Sequence, residues 1–312
     1  MNTAIQDRIQ GCAVGAAAGD ALGMPLEFGP RQPAGQLVRD MQPGRLSAAA
    51  FTDDTEMALA LADSLLANFP LDPADLAGRF VAWLRAGPGD VGIHTNSVLS
   101  RIAAGEPWQQ VADAVQRRQP DSAGNGSVMR CWPVALAHWR NLELLVAESR
   151  LQSRVTHPHP ECQAACAFVN RAIYHLLHGV PLSQAVRQAL EGTEMPGGLR
   201  SAIERAPSCR REDLENSGWV RHTVESAVWG LLTTRTFEEA VVQVVNLGRD
   251  ADTAGAVVGA LAGSAYGRQA IPPRWRDRLH GEWPLGSGIR WTAGSLADLA
   301  TRLGALAGRS AT

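Results

Sequence analysis

The sequence predicts an all-α protein, and three observations carry that prediction. Apolar residues recur with a helical period along almost the whole of its 312 residues. Strict apolar–polar alternation is hard to find, so no sizeable sheet is expected. Small residues crowd two long stretches in the way of closely packed helices. No internal repeat, low-complexity tract or interdomain linker divides the chain, so residues 1–312 read as one compact domain of many helices.

The elements follow in order. The stretch GCAVGAAAGDALG (11–23) is rich in glycine, which costs helix propensity. Its presence there points to a central helix whose backbone meets a neighbour. Met57, Leu61 and Leu65 then repeat at i, i+4, i+8. Leu76, Phe80 and Trp83 define a further helix, as do Trp108, Val111 and Val115. Val224 and Val228 mark another, followed by Phe237, Val241 and Val244. Thr236 and Glu239 form the pattern of a capping box at the start of that last one. TAGAVVGALAGSAYG (253–267) is the second small-residue helix. Pro and Gly mark loops at 29–33, 41–45, 86–90, 118–126, 157–161, 195–198 and 271–275. Residues 268–312, with Trp275, Trp283 and Trp291, carry no usable motif.

The balance of 29 basic and 31 acidic residues, net −2, advertises neither a nucleic-acid nor a membrane surface. Five cysteines are an odd number at scattered spacings. Cys162 and Cys166 stand four apart, on one helix face, with no second pair. A reduced cytoplasmic protein is therefore expected in place of a zinc or disulfide framework, and a monomer is expected. The polar N-terminus makes a poor signal peptide, and no charge-free apolar run is long enough to span a bilayer.

The chemistry concentrates in a few stretches. In AFTDDTEMALALADSLL (50–66), Thr52, Asp53, Asp54 and Thr55 stand together before an apolar helix. Helix capping is the plain reading, with Glu56 three residues after Asp53. Capping uses one side chain and leaves the neighbouring acid and the hydroxyls unexplained. NLGRDADTAGAVVGALAG (246–263) repeats the theme with Asp250, Asp252 and Thr253. Four carboxylates brought into a core are costly without cations. Carboxylate and hydroxyl oxygens are hard ligands suited to Mg²⁺ or Mn²⁺, and two dications balance four acids. SAGNGSVMR (122–130) offers Gly124, Asn125, Gly126 and Ser127 as a backbone anion cradle ahead of a helix, with charge from Arg130, or else a plain loop. His157 and His159 lack a third ligand at metal spacing. Asp20 reads as an acid bonded to its neighbouring backbone, Glu27 as a loop residue with exposure as the default, and Asp90 as a turn or N-cap. No GxSxG elbow, Walker A sequence or dinucleotide-binding GxGxxG unit is present.

Taken together, GCAVGAAAGDALGMPLEF, FTDDTEMALAL, GNGSVMR, THPHPE and NLGRDADTAGAVVGALAGSAYG resemble the ADP-ribosylglycohydrolases, collinearly from about residue 11 to 267. The resemblance implies a compact orthogonal multi-helix bundle with a binuclear Mg²⁺ or Mn²⁺ centre in a cleft. It implies Thr52, Asp53, Asp54, Asp250, Asp252 and Thr253 as ligands. It gives Glu27 as an acid over the site, Gly124 to Ser127 as the diphosphate segment, and His157 as lining the ADP-ribose cleft. Asp90 would stand beside an acceptor guanidinium and Trp219 near the nucleoside. Arg249 departs from the small residue common before the acid pair. The activity implied is hydrolysis of the glycosidic bond between ADP-ribose and an acceptor, foremost arginine on a protein. Asp53, Asp54 or Glu27 would help activate water, and Asp90 would hold the leaving group. A non-catalytic ADP-ribose-binding module and a hydrolase of serine-linked or small conjugates are the alternatives.

Overall fold

The structure is a computed structural model and describes residues 2–308. Those residues form fifteen α-helices, short 3₁₀ turns and one antiparallel pair of three-residue strands, His280–Glu282 and Arg290–Thr292. The all-α expectation holds, and the predicted apolar repeats lie on helices. Met57, Leu61 and Leu65 fall on Asp53–Ala67, and Leu76, Phe80 and Trp83 on Pro73–Arg85. Trp108, Val111 and Val115 fall on Trp108–Arg118, Val224 and Val228 on Val220–Thr233. Thr236 caps Phe237–Val245 by accepting the Glu239 N–H at 3.1 Å. Three expected loops are shorter than their Pro/Gly pattern suggested. Pro160, Gly197 and Pro273 each open a helix, namely Pro160–Leu177, Gly197–Arg205 and Pro273–Arg276. A first-turn proline sacrifices no helical hydrogen bond.

The two small-residue stretches pack against each other as helices Thr3–Gly23 and Ala251–Tyr266. A Cβ placed on Gly11 would lie 2.3 Å from Gly263 O, on Gly15 2.4 Å from Gly259 O, and on Gly19 1.9 Å from Gly255 O. The partners descend as the first helix ascends, so the helices are antiparallel. Glycine at every fourth position removes the side-chain ridge and lets backbone meet backbone. The end of the first helix that carries Asp20 thereby meets the start of the second, which carries Asp252.

The C-terminal region supports this core. Phe51 donates its N–H to His280 O at 2.9 Å, and His280 donates to Ala49 O at 3.0 Å. Gly281 leaves room for the Phe51 ring, which a Cβ there would meet at 2.1 Å. Trp283 Nε1 donates to Asp63 Oδ2 at 2.9 Å. The motif-free segment thus braces the residues on either side of Thr52. No helix among the described residues is long and apolar enough to cross a membrane.

The glycine seam has a direct test. Gly15→Ala is expected to destabilise the protein by about 1–3 kcal/mol through overpacking. Gly78→Ala, on the exposed side of Pro73–Arg85 with open space at its Cβ position, is expected to stabilise it by about 0.5–1 kcal/mol. Denaturant unfolding of both variants decides; a neutral Gly15→Ala would mean that the two backbones are not in contact.

Candidate active site

Thr52 is the N-cap of Asp53–Ala67, its Oγ1 accepting the Asp54 N–H at 3.4 Å. Capping therefore falls to Thr52, and the Asp53–Glu56 box does not form. This leaves both aspartates for other work. Behind the turn, buried Asp20 accepts the Thr52 N–H at 3.0 and 3.1 Å and the Thr55 N–H at 3.2 Å. It also accepts the Thr55 hydroxyl at 2.5 Å. Asp20 does not bond its own neighbouring backbone, as the sequence reading had it; it orients the TDDT turn from another helix. Burial pushes its carboxyl up to about 7 despite the Thr55 bond, with Asp252 adding repulsion.

Asp250 is the N-cap residue of Ala251–Tyr266, and Asp252 lies in its first turn. The irregular entry brings both acids to one side. Thr253 Oγ1 donates to Asp54 Oδ2 at 3.4 Å, and Thr52 Oγ1 donates to the same oxygen at 3.3 Å. The two acidic turns, about two hundred residues apart in sequence, therefore touch (|i−j| = 199 for the Thr253–Asp54 bond). Asn125 Nδ2 holds Asp250 Oδ2 at 2.8 Å. Glu27 is not the exposed loop acid that its position suggested, since only 10% of its side chain is exposed. Ligand oxygens of Glu27, Asp250 and Asp252 lie within 4.8 Å of one another. Phe28 N–H to Arg249 O (2.6 Å) and Arg249 N–H to Gly29 O (2.8 Å) tie the Glu27 loop to the Asp250 turn.

The electrostatics identify what this cluster is suited to hold. Burial, then repulsion from Asp252, pushes Asp53 and Asp54 well above the usual carboxylate range. Asp250 rises to about 6 and Glu27 also rises, again through burial first and Asp252 second. Asp54 Oδ1 is buried and finds no hydrogen-bond donor among the described residues. A buried carboxylate oxygen without a donor is costly. Hard oxygens only, mutual repulsion and an orphaned acceptor together fit a divalent cation.

The cluster forms one wall of a cleft of about 460 Å³. Asp53, Asp54, Asp90, Gly124, Gly126 and His157 also line it. The glycine segment differs in detail from a successive N–H cradle. The Asn125 N–H is donated to Gly218 O at 3.0 Å, and its side chain serves Asp250. Ser127 is buried and accepts the Ser153 hydroxyl at 2.9 Å, away from the cleft. The segment does not open a helix; the next one begins at Trp132. Gly124 and Gly126 face the His157 ring, and a Cβ on Gly126 would lie 2.9 Å from it. Arg130 offers no charge to the cleft. It is fully buried, donates to Thr156 Oγ1 at 2.7 Å and lies 4.2 Å over the Phe80 ring.

His157 is buried, with Nδ1 at 2.8 Å from the Thr156 hydroxyl. Burial, then His94 and Arg130, lowers its pKa well below the usual value, so the ring is neutral at neutral pH. His159 accepts the Glu161 N–H at 3.1 Å and acts as an N-cap. Trp219 is 40% exposed and borders a shallower recess of about 250 Å³ that shares Gly124 and Gly218 with the cleft. Glu161 Oε2 accepts its Nε1–H at 3.0 Å, and Arg221 stacks on its ring at 4.6 Å. Arg249 points away from the cluster and pairs with Glu215 at 2.8 Å on the surface. Its backbone is left-handed (φ 56°), which a residue without Cβ adopts at less cost.

Two contributors escaped the sequence reading. Arg45 extends from the 41–45 loop to Glu27 (2.5 Å), Asp252 (2.9 Å) and Asp90 (3.0 Å). His94 lines the cleft and stacks with His157 at a centroid distance of 4.6 Å. No local pattern marks either. An acid alone in a Gly/Ala helix was a signal for Asp20 that pointed to the right residue and the wrong partner.

The raised carboxyls set a pH dependence. A raised folded-state pKa means that folding favours the protonated form. The metal-free protein keeps that contribution below about pH 4 and loses it as pH rises through the folded values, about 6 for Asp250 and well above the usual carboxylate range for Asp53 and Asp54. A cation must displace those protons, so its stabilisation grows with pH. The rise in melting temperature on adding Mn²⁺ is expected to be larger at about pH 8 than at about pH 5. Thermal unfolding of dialysed protein with and without Mn²⁺ measures this, and an equal shift at both values would contradict it.

Comparison with known proteins shows the family. Residues 1–310 match the ADP-ribosylglycohydrolase family. The ADP-ribosylarginine hydrolase Tri1 of Serratia proteamaculans (strain 568) is 33% identical over 287 residues, covering 88% of this chain and 75% of the relative. The ADP-ribosyl-[dinitrogen reductase] glycohydrolase of Rhodospirillum rubrum is 34% identical over 284 residues, covering 88% and 91%. A solved structure, an ADP-ribosylglycohydrolase-related protein complex, superposes with a TM-score of 0.81 at 33% identity, covering 98% of this chain and 100% of its own. The convergent acid turns, the glycine-lined cleft and these matches together make the chain a member of the ADP-ribosylglycohydrolase family.

Proposed function

We propose that this protein hydrolyses the N-glycosidic bond between ADP-ribose and an arginine side chain of a modified protein. The observation that carries the reading is the meeting of the two acidic turns through the Thr253–Asp54 contact, at a cleft also lined by Gly124, Gly126 and a neutral His157. Thr52, Asp53, Asp54, Asp250, Asp252 and Thr253 would hold two divalent cations, Mg²⁺ or Mn²⁺. When bound, such a pair orients substrate oxygens and stabilises charge that develops at the reacting carbon.

The chain's own groups supply the rest. Water adds its oxygen to the anomeric carbon while the bond to the guanidine nitrogen breaks. One water proton passes to a carboxylate, either Asp53, Asp54 or Glu27. The departing guanidine takes up that proton from the carboxylate and leaves as a cation. Asp90 is suited to hold it, since it already contacts the guanidinium of Arg45. Gly124 and Gly126 give the diphosphate a close approach to the backbone. The neutral His157 ring borders that path as a hydrogen-bonding group without charge. Trp219, braced by Glu161 and Arg221, offers a flat face for the adenine. The named relatives support this reading: one is an ADP-ribosylarginine hydrolase, which supports the arginine linkage, and the other an ADP-ribosyl-[dinitrogen reductase] glycohydrolase, which supports a protein substrate.

Incubation of the Mn²⁺-loaded protein with arginine-ADP-ribosylated protein is expected to release free ADP-ribose. Asp252→Ala is expected to lower kcat/KM by about 100-fold or more, since even the outer partners of a metal site cost up to that factor. Release of AMP would indicate pyrophosphate cleavage instead. Tight ADP-ribose binding with no turnover would indicate a binding module.

A further inference from the structure

We propose that Arg45 competes with a divalent ion for Asp252. The inference rests on the metal reading of the cluster and adds an internal competitor to it. One nitrogen of Arg45, Nη2, lies 2.5 Å from Glu27 Oε2, 2.9 Å from Asp252 Oδ2 and 3.0 Å from Asp90 Oδ2. Arg45 Nε donates a further bond to Glu27 Oε2 at 3.0 Å. Glu27 and Asp252 are two of the three acids whose oxygens come within 4.8 Å of one another, and at Asp252 the guanidinium occupies an acceptor that a dication needs. Asp90 completes the arrangement as a third acid on the same nitrogen.

Arginine is suited to this role by its chemistry. Its guanidinium stays charged at any working pH, so it cannot vacate the site by losing a proton. It must move. A dication bound to Asp252 and a guanidinium bound to the same carboxylate repel each other. The side chain has somewhere to go, because it is 26% exposed and rises from a bend in the 41–45 loop. Its backbone stays put: Gly44 packs against Pro25, where a Cβ would lie 2.8 Å from the Pro25 Cα. Loading the centre therefore exchanges one cation for another, with Arg45 swinging out while the loop holds. Metal affinity is set in part by how tightly Glu27, Asp90 and Asp252 hold the guanidinium.

Mn²⁺ binding by calorimetry, together with thermal unfolding of the metal-free protein, tests this without reference to activity. Arg45→Gln is expected to bind Mn²⁺ about 10-fold tighter than the unmodified protein, within the usual range for coupled sites. Its metal-free form is expected to melt lower, and Mn²⁺ to raise its melting temperature by more than in the unmodified protein. Arg45→Lys, which keeps the charge and loses the planar fork, is expected to fall between the two and decides the matter should Arg45→Gln not fold without metal. Equal or weaker Mn²⁺ binding by the variants, with the unmodified protein binding normally, overturns the role of Arg45 alone. Absence of Mn²⁺ binding by all three proteins overturns the metal reading with it.

Discussion

The contact between the backbones of helices Thr3–Gly23 and Ala251–Tyr266 is the constraint on which the site depends. Glycines 11, 15 and 19 face glycines 263, 259 and 255 with no side chain between them. Two helices in such contact have little freedom to slide, because any Cβ in the seam would strike a carbonyl oxygen. Register at one end then fixes register at the other. At the site end the seam brings Asp20 and Asp252 near enough to repel each other, and Asp20 in turn holds the TDDT turn by its backbone N–H groups. A stretch of small apolar residues thus does what no charged residue could do: it carries acids from opposite ends of the chain to one place.

Such convergence costs stability in the metal-free protein. Burial first, and mutual repulsion second, raises the pKa of Asp53, Asp54 and Asp250. The chain offsets the cost locally. Hydroxyls of Thr52 and Thr253 donate to Asp54, Asn125 donates to Asp250, and Arg45 lends one positive charge to three carboxylates. The set remains incomplete, as the unpartnered Asp54 Oδ1 shows among the described residues. Incomplete satisfaction of this kind marks a site that awaits a ligand more than one built for stability. The opposite wall of the cleft is neutral by comparison, since burial keeps His157 uncharged and Arg130 turns inward.

Strain is concentrated at the same place. Phe28 and Arg249 both adopt left-handed backbone, at φ 60° and 56°, and the two are joined by a backbone hydrogen bond. For bulky residues that conformation is unusual. Here it turns Glu27 inward and lets the chain enter the Asp250 helix with both acids facing the cleft. Residues 268–308 contribute from behind: the hairpin at His280 steadies the backbone that leads into Thr52.

Much was legible in the sequence because it is local. Helical period marks Asp53–Ala67 or Phe237–Val245 directly, since the pattern and the element share the same few residues. Paired acids beside threonines are likewise visible wherever they stand, and hard oxygen in that density points to a cation. The sequence by itself therefore determined an all-α chain, the two acidic turns and the chemistry they suit. Tertiary structure alone decided which side chains complete the site. Arg45 reaches Asp252 across 207 positions, and Asp20 reaches Thr55 across 35. It also turned Arg130 and Ser127 into the core, although both lie in the glycine-rich motif. The physical reason is that direction and contact in space depend on how helices pack, and a one-dimensional pattern records which residues are present but not where a long side chain ends.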